Sequence, residues 1–457
     1  MMNRRMLLAG STAAYLSAGQ GFAQVMEEAE RQMHYLVFGN ATAKQTALDW
    51  MEARGQTDMA AAIIFAMRYS KASEASMSRT LQKLTGHTTA RGWFDWMVWQ
   101  ERHPEIRPHP AFARIKRERL LHIDPQFELF LTDPYLDPSR MHIRFEEVTW
   151  GGVSKDGIPS LDTPRHIEAA DADYLRADDL VFGVSINGDT RAYPLRIMGW
   201  HEMFNEVIGG VPVALAYCTL CGAGILYETK LDRFDAPLVF GSSGFLYRSN
   251  KLMFDRRTHS LWNQFTGKPV MGELWNSGIA LKQRPVTITS WENWKTDNPD
   301  TVVLDLNTGH LRNYGSGVVY NRYFSSADLM FPANVDQTEH LQKDYVFRIS
   351  QFGAERAWPL SVFERTPVIN DKIGDRDIAL FGDPTTRNVR AYERNGLTFI
   401  TDQWGDISTA DLKGWRLTEQ ALISATGEQL PRVPGHISYW FAYDNYFADA
   451  GSVYSAK

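Results

Sequence analysis

The stretch Val181–Leu195, VFGVSINGDTRAYPL, is repeated without a gap as Val346–Leu360, VFRISQFGAERAWPL. The offset between matching residues is constant and equals the distance from position 181 to position 346. Further pairs keep this offset: Asn205 with Asn370, Ile208-Gly209 with Ile373-Gly374, and Ala214-Leu215 with Ala379-Leu380. A later block repeats at a shorter offset, from position 278 to position 427: Gly278, Leu281, Pro285, Ile288 and Trp291 match Gly427, Leu430, Pro434, Ile437 and Trp440. Chance does not sustain such a register, so the sequence predicts a unit made of two degenerate internal repeats.

The repeated stretches have the pattern of β-strands. The runs Val181–Ile186 and Val211–Tyr217 are apolar or alternating and lie between turn signals. Between two of these runs, Asn187-Gly188 is typical of a two-residue hairpin turn. We therefore predict a β-rich copy one over residues 180–305 and a β-rich copy two over residues 306–457, related by a pseudo-twofold axis.

Toward the amino terminus the apolar spacing becomes helical. Between about residues 42 and 121, apolar side chains recur three or four positions apart, as in Ala47 with Met51 and Ile63 with Met67. This spacing predicts a domain of short helices over residues 24–123, arranged as a HEAT-like array or as an ordinary bundle. Residues 124–179, interrupted by proline and glycine, are interpreted as a connecting segment. The predicted fold class is α+β, with the short-helix domain followed by the β-rich unit.

The first 23 residues have the pattern of a signal peptide. Arg4 and Arg5 precede the weakly apolar run Met6–Ala18, and the small-residue exit Gly21-Phe22-Ala23 follows. Cleavage after Ala23 is predicted, by the twin-arginine route or by general secretion. We therefore expect a periplasmic or secreted protein with no membrane span after processing, because no other apolar stretch is long enough to cross a bilayer.

Composition narrows the choice of partners. The net charge is only −6, and Lys and Arg are spread among acidic residues, so no basic stripe favours nucleic acid. The chain carries 14 Trp, 24 Phe and 18 Tyr, which suits a β-rich core or a face that stacks on glycans. The remaining expectation is an unknown periplasmic partner or a small-molecule substrate.

The strongest candidate for chemistry is the turn Cys218-Thr-Leu-Cys221-Gly222 between two predicted strands. One interpretation is a metal knuckle, in which backbone N–H groups hydrogen-bond the sulfurs and glycine relieves a left-handed conformation. The second is an exchangeable redox disulfide, and the third is an inert staple. A staple over so short a loop contributes only about 2 kcal/mol in the chain-entropy model.

A metal would need ligands beyond the two cysteines. His201 is the leading candidate, and Glu202, Met253, Asp255 and His259 compete for the remaining positions. A set of Cys, Cys, His and Met is soft and favours copper, whereas Asp or Glu would make iron or zinc better candidates. Copy two has other residues at the corresponding positions: Thr366-Pro367 for His201-Glu202, and Asp383 for Cys218. Copy one is therefore predicted to carry the chemistry, with copy two as scaffold.

Several of these motifs resemble the bacterial "domain of unknown function 3179" family. The motifs that carry the resemblance are Arg191-Ala-Tyr-Pro-Leu, His201-Glu202, Tyr217-Cys-Thr-Leu-Cys-Gly222, Phe240 to Arg256 and Ser260-Leu-Trp262. The resemblance is close over Val148 to Leu304, with copy two as a degenerate continuation and the helical part as a variable addition. It implies an exported bacterial protein and no particular activity. Thr219 stands where many relatives are expected to have proline, which leaves both cysteines in place.

Two function classes follow. The first is an exported metal-binding or thiol-redox protein with its site at the Cys-x-x-Cys-Gly turn plus histidine, with a metal-dependent oxidoreductase as its enzymatic form. The alternative is a non-catalytic periplasmic binding module or metal carrier, whose aromatic faces bind a glycan or a protein partner.

Overall fold

The computed structural model describes residues 27–402, 405–411, 413–447 and 450–455. The predicted signal peptide, residues 1–23, lies outside the described residues. The chain divides into two compact units. One runs to Ser139 and includes Arg144–Glu147; the other comprises Arg140–Ile143 and the chain from Val148 onward. Helices precede a region of several sheets, so the predicted α+β class is confirmed.

The first unit is built from short helices: α1 (27–38), α2 (Ala41–Arg54), α3 (Ala60–Met67), α4 (Glu74–Thr85), α5 (Trp93–Arg102) and α6 (Phe112–Ile123). Helix α2 begins where the Asn40 side chain accepts a hydrogen bond from the Ala43 amide, and it ends at Gly55 with a left-handed φ of 65°. Helix α3 is buried on nearly every side. The core of this unit therefore forms around α3.

Residues 124–179, interpreted from sequence as a connection, supply three short strands to the second unit: β1 (Val148–Trp150), β2 (Leu161–Asp162) and β3 (His166–Glu168). Each lies at the edge of a different sheet of copy one. The segment is therefore part of the β-rich fold from Val148 onward.

The remaining elements follow in chain order. Copy one contains β4 (Leu180–Ile186), β5 (Asp189–Pro194), α7 (Leu195–His201), β6 (Met203–Ile208), β7 (Val211–Cys218), β8 (Ala223–Glu228), β9 (Phe240–Tyr247), β10 (Asn250–Asp255), β11 (Leu261–Asn263), β12 (Lys268–Met271), β13 (Gln283–Arg284), β14 (Thr287–Ser290), α8 (Trp291–Asp297) and β15 (Val302–Leu304). Helix α9 (Asn321–Phe324) precedes the first strand of copy two. Copy two contains β16 (Tyr345–Gln351), β17 (Ala354–Pro359), β18 (Val368–Ile373), β19 (Arg376–Asp383), β20 (Asn388–Glu393), β21 (Ile400–Thr401), β22 (Ile407–Ser408), β23 (Lys413–Leu417), β24 (Ala421–Ile423), β25 (Gln429–Val433), β26 (His436–Tyr439), α10 (Trp440–Phe447) and β27 (Gly451–Val453).

The sheets carry the repeat in their strand order. The order β14-β4-β5-β15 in copy one corresponds to β26-β16-β17-β27 in copy two, and β6-β7-β8 corresponds to β18-β19-β20. Strand β15 pairs parallel with β5, as β27 does with β17. When the repeat offset is added to them, the first and last residues of β4 to β8 match the first and last residues of β16 to β20. The two copies thus share one topology.

Polar residues kept in both copies hold the repeat together. Arg191 and the Tyr193 hydroxyl both bond Glu206 Oε2, at 2.6 and 2.7 Å. In copy two, Arg356 and the Trp358 indole both bond Asp371 Oδ2 at 2.9 Å. The Arg-Ala-aromatic-Pro-Leu block is therefore architectural, since it bonds an acidic residue at the equivalent position in each copy.

Side chains from both copies form one hydrophobic cluster. Phe182 and Leu215 of copy one pack in the same buried cluster as Phe347 and Leu380 of copy two. The copies are thus two halves of a single core. Among the described residues, no helix is long and apolar enough to cross a bilayer.

Candidate functional site

The two cysteines lie in the tight turn that joins β7 to β8. The strands pair up to Cys218 and Ala223, so only four residues make the reversal. The Cys221 amide donates to the Cys218 carbonyl at 3.2 Å, and the Gly222 amide donates to the Thr219 carbonyl at 3.3 Å. The turn thus uses both of these amides for its own closure. Gly222 has the left-handed φ of 61° that the sequence predicts for its glycine.

Both cysteines are free and buried, with Cys218 2% and Cys221 0% exposed. Burial raises the pKa of the Cys221 thiol well above its usual range, and its hydrogen bond with the Cys218 thiol raises that pKa further. Asn250 Nδ2 donates to Cys221 Sγ at 3.3 Å, and the Cys221 thiol in turn donates to the Ser249 carbonyl oxygen at 3.5 Å. The two sulfurs therefore share a dry site with two neighbouring polar groups.

The turn between β9 and β10 presents those polar groups. Arg248 and Ser249 have φ values of 48° and 60°, a left-handed pair that costs non-glycine residues about 1–2 kcal/mol each. Asn250 Nδ2 also donates to Gln264 Oε1 at 2.7 Å, and Asn250 Oδ1 has no partner among the described residues. Strain and an unsatisfied amide oxygen at one place are features that accumulate at functional sites.

Glu202 lies beneath the turn in a buried polar network. Its Oε1 accepts from Thr219 Oγ1 at 2.7 Å and from the Tyr320 hydroxyl at 3.2 Å. The ammonium of Lys251, itself 2% exposed, lies 3.2 Å from Glu202 Oε2. Because Thr219 lies between the two cysteines in sequence, its hydrogen bond to Glu202 links the cysteine turn to this ion pair. The Glu202 carboxylate is the main reason that the pKa of Tyr320 is raised.

His201 is buried, but its ring nitrogens have other partners. Nδ1 lies 2.9 Å from the Pro159 carbonyl oxygen, and Nε2 lies 2.6 Å from the Tyr314 hydroxyl. Because a carbonyl only accepts, Nδ1 carries the hydrogen, and Nε2 accepts from Tyr314. Burial lowers the pKa of His201 to about 4, so the ring is neutral at pH 7. The lone pair that a metal would use is already engaged.

The other candidate ligands from sequence serve the fold. Asp255 accepts from the Thr258 amide at 2.6 Å and from the Trp262 indole at 2.9 Å, so it organises the turn after β10. His259 lies in that turn with a φ of 55° and stacks on Phe254. Met253 is buried within β10. Within the described ranges, no group of three or more His, Cys, Asp and Glu side chains could hold a metal ion.

Tyrosines surround the turn, and sequence analysis missed all of them. The Tyr323 hydroxyl donates to the Leu220 carbonyl at 2.6 Å, and the Tyr439 amide donates to the Cys221 carbonyl at 2.7 Å. Tyr345 and Tyr439 join their hydroxyls at 3.2 Å. Tyr345 and Tyr439 come from copy two, so no local pattern could have placed them; only Tyr217, next to Cys218, had a signal in its position.

The same turn exists in copy two without sulfur. At the offset that relates the two copies, Asp383 stands at the position of Cys218, and Thr386 at the position of Cys221. Thr386 Oγ1 donates to Asp383 Oδ2 at 2.6 Å, and the Arg387 amide donates to the Pro384 carbonyl at 3.3 Å as Gly222 does to Thr219. The repeated turn therefore forms in copy two without sulfur.

A cavity of about 250 Å³ lies beside the cysteine turn, where the two copies meet. Tyr217 and Gly222 line it from copy one, and Tyr345 and Arg387 line it from copy two. An added Cβ at Gly222 would lie 3.2 Å from the Tyr345 ring and 3.3 Å from the Tyr439 ring, so a side chain there would require both rings to shift slightly. The cavity thus shares its wall with the turn that carries both thiols.

Fold and site together define a duplicated β protein with a buried pair of thiols in only one of its copies. The chain belongs to the family described as "Protein of unknown function (DUF3179)", whose model matches residues 155–450. The match spans both copies of the repeat, and the family that the sequence motifs resemble is confirmed. Comparison with curated proteins and with solved structures finds no match.

Proposed function

We propose that this protein is an exported thiol-redox protein in which Cys218 and Cys221 cycle between a dithiol and an intramolecular disulfide. The observation that carries the proposal is the equivalent turn of copy two, which Thr386 and Asp383 close at 2.6 Å without sulfur. Since the turn does not need thiols to form, the thiols of copy one are available for chemistry rather than architecture.

The geometry of the turn supports disulfide formation. A disulfide needs Cα atoms about 4.4–6.8 Å apart. The 3.2 Å hydrogen bond from the Cys221 amide to the Cys218 carbonyl makes a four-residue turn, whose ends lie within about 7 Å. Closing the bond therefore requires rotation of the side chains and little displacement of the backbone.

The reaction is thiol–disulfide exchange. One thiolate attacks a disulfide of the exchange partner, forming a mixed disulfide and releasing one partner thiolate. The second cysteine, once deprotonated, attacks the mixed disulfide and releases the other partner thiolate. The protein thereby loses two protons and two electrons, and the partner disulfide becomes two thiols. Because burial disfavours the Cys221 thiolate, we assign the first attack to Cys218 and the resolving attack to Cys221.

A second candidate is a two-sulfur site for a soft metal, with copper(I) favoured over iron or zinc. The observation in its favour is the Asn250 amide directed at Cys221 Sγ, 3.3 Å away, since such outer hydrogen bonds orient and stabilise thiolate ligands. Dithiol exchange is the better supported function, because it needs no third ligand and His201 Nε2 is engaged by Tyr314.

The test is a redox titration of the purified protein in glutathione buffers, followed by acid quenching, alkylation under denaturing conditions and mass spectrometry. Wild type should lose both alkylation sites together in one two-electron transition. Cys218→Ser and Cys221→Ser should each give a mixed disulfide with glutathione. Thr386→Val, which alters the equivalent turn of copy two, should titrate like wild type. Retention of both alkylatable thiols in fully oxidised glutathione would refute the function.

Two further measurements address the metal and the export. Elemental analysis of protein purified from its native compartment distinguishes the candidates, because stoichiometric copper that both cysteine variants lose would favour the two-sulfur metal site. Amino-terminal sequencing tests export. The mature chain should begin at or near Gln24, and Arg4→Lys with Arg5→Lys should trap the precursor if the route is twin-arginine. An intact Met1 in a soluble cytoplasmic pool would contradict export.

A further inference from the structure

Arg387 has an unusual position for an arginine. Its φ is 58°, a left-handed conformation that glycine adopts without strain and that Gly222 adopts at the equivalent place with a φ of 61°. Copy two thus keeps a long charged side chain where glycine would be easier to accommodate. Persistent backbone strain of this kind points to a role for the side chain.

The Arg387 side chain lines the cavity without an acidic partner. Its guanidinium carbon lies 4.3 Å from the centroid of the Tyr345 ring. Among the described residues it forms no ion pair and no side-chain hydrogen bond. The other arginine of the cavity, Arg196, is committed to Asp179 at 2.9 Å and to the Tyr314 carbonyl at 2.7 Å. Arg387 is therefore the cavity cation that remains available to a ligand.

Tyr217 supplies a second free donor. Its side chain is 4% exposed and lines the cavity, yet its hydroxyl has no hydrogen-bond partner in the described part of the chain. Because Tyr217 lines the cavity, this hydroxyl is free to donate a hydrogen bond to a ligand there. A ligand that accepts from Tyr217 and Arg387 together would satisfy both groups.

The rest of the lining indicates what else the ligand carries. Leu180, Leu195, Val319 and Phe324 give the cavity apolar walls. Its volume of about 250 Å³ falls below the roughly 300–1,000 Å³ of pockets for drug-sized molecules, so the ligand is small. Asp178 and Asp179 also line the cavity, and the oxygens of Asp179 are taken by Arg196 and Ser316. Because the lining holds two carboxylates and only one uncommitted cation, it suits a monoanion better than a phosphate dianion.

We propose that this cavity is a binding site for a small carboxylate with an apolar body, held by the Arg387 guanidinium and the Tyr217 hydroxyl. The guanidinium fork donates two parallel hydrogen bonds to a carboxylate, and the apolar walls enclose the rest of the ligand. The site goes beyond the proposed dithiol chemistry and does not depend on it, although the ligand would lie against the wall formed by Gly222.

The experiment is calorimetric titration of the full mature chain with benzoate, using benzamide as the uncharged analogue of the same shape. Wild type should bind benzoate at least about tenfold more tightly than benzamide. Arg387→Gly, which copies the residue of the equivalent turn and relieves strain, should weaken benzoate binding at least about tenfold, and Tyr217→Phe should weaken it less. Arg376→Gln, which removes an exposed arginine of copy two, is the charge control and should bind like wild type.

Three results would overturn the site: no benzoate binding by folded wild type, unchanged binding by Arg387→Gly, or equal competition by inorganic phosphate. A Cys218→Ser, Cys221→Ser double variant should bind benzoate like wild type. Because this double variant keeps Arg387 and Tyr217 but has neither thiol, its affinity for benzoate tests the cavity site independently of the thiol-redox function.

Discussion

Gly222 and Arg387 occupy the same position of the repeated turn, one in each copy, and have nearly the same left-handed φ, 61° and 58°. Both line one cavity. The duplication thus brings two versions of a single turn to one place, one carrying thiols and the other carrying a cation. Divergence between them explains how a symmetric scaffold acquires an asymmetric site.

Substitutions at these two left-handed positions should have unequal effects on stability. Gly222→Ala should lower the free energy of unfolding by about 1–3 kcal/mol, because the new Cβ meets the Tyr345 and Tyr439 rings at 3.2–3.3 Å in a strained conformation. Arg387→Gly should leave it within about 1 kcal/mol of wild type, since relief of strain offsets the lost contact with Tyr345. Urea unfolding measures both changes, and equal destabilisation would contradict this account.

The scaffold role of copy two can be tested at its repeated arginine. Arg356→Ala removes the partner of Asp371 Oδ2 at 2.9 Å and should lower the free energy of unfolding by about 1–3 kcal/mol. The matched variant in copy one is Arg191→Ala, which removes the corresponding bond to Glu206. Both should leave the thiol titration unchanged, because neither arginine contacts a cysteine. If Arg356→Ala abolished the thiol chemistry while its melting temperature stayed at the wild-type value, copy two would take part in that chemistry and would not be a scaffold alone.

The sequence predicted the repeat well, because a constant offset fixes strand order and register in both copies. It also predicted the cysteine turn, since turn residues there are local in sequence. It could not predict the partners of Cys221. Asn250, which contacts the thiol, arrives with β10, and Tyr439, which contacts the backbone carbonyl, arrives with β26. Only tertiary pairing of strands brings them to Cys221.

His201 illustrates how sequence adjacency misleads. The backbone passes close to the turn, since the Tyr217 amide donates to the Glu202 carbonyl at 2.8 Å. However, α7 ends at His201, and Glu202 takes a left-handed φ of 55° before β6 begins. The two neighbouring side chains therefore point apart: Glu202 to Thr219, and His201 to Pro159 and Tyr314. Spacing along the chain carries no signal for that reversal.

The buried pair of Glu202 and Lys251 should be sensitive to loss of one partner. Lys251→Met leaves the Glu202 carboxylate buried without its cation, which should cost about 3–5 kcal/mol in the free energy of unfolding. Adding Glu202→Gln removes the stranded charge, so the double variant should recover most of the loss. Chemical denaturation of the two variants provides the comparison. A double variant no more stable than Lys251→Met would show that the pair is held by shape rather than charge.

Alkaline pH should destabilise the reduced protein through Cys221. Burial raises the pKa of this thiol in the folded state, so the folded state retains a proton that the unfolded state releases above its ordinary pKa of about 8.5. The stability from this group is fully present below about pH 8.5 and is lost as pH rises toward the folded pKa.

The window to measure is from about pH 8.5 to 10, below the ordinary pKa of tyrosine. There the free energy of unfolding of wild type, kept reduced, should fall by up to about 1.4 kcal/mol per pH unit from this one group. Cys221→Ser should show a flatter profile over the same window, because serine has no thiol to deprotonate. Oxidised wild type should be equally flat if its two sulfurs are joined in a disulfide. Parallel profiles for reduced wild type and Cys221→Ser would show that the Cys221 thiol does not keep its proton in the folded state, and would remove the reason for assigning the first attack to Cys218.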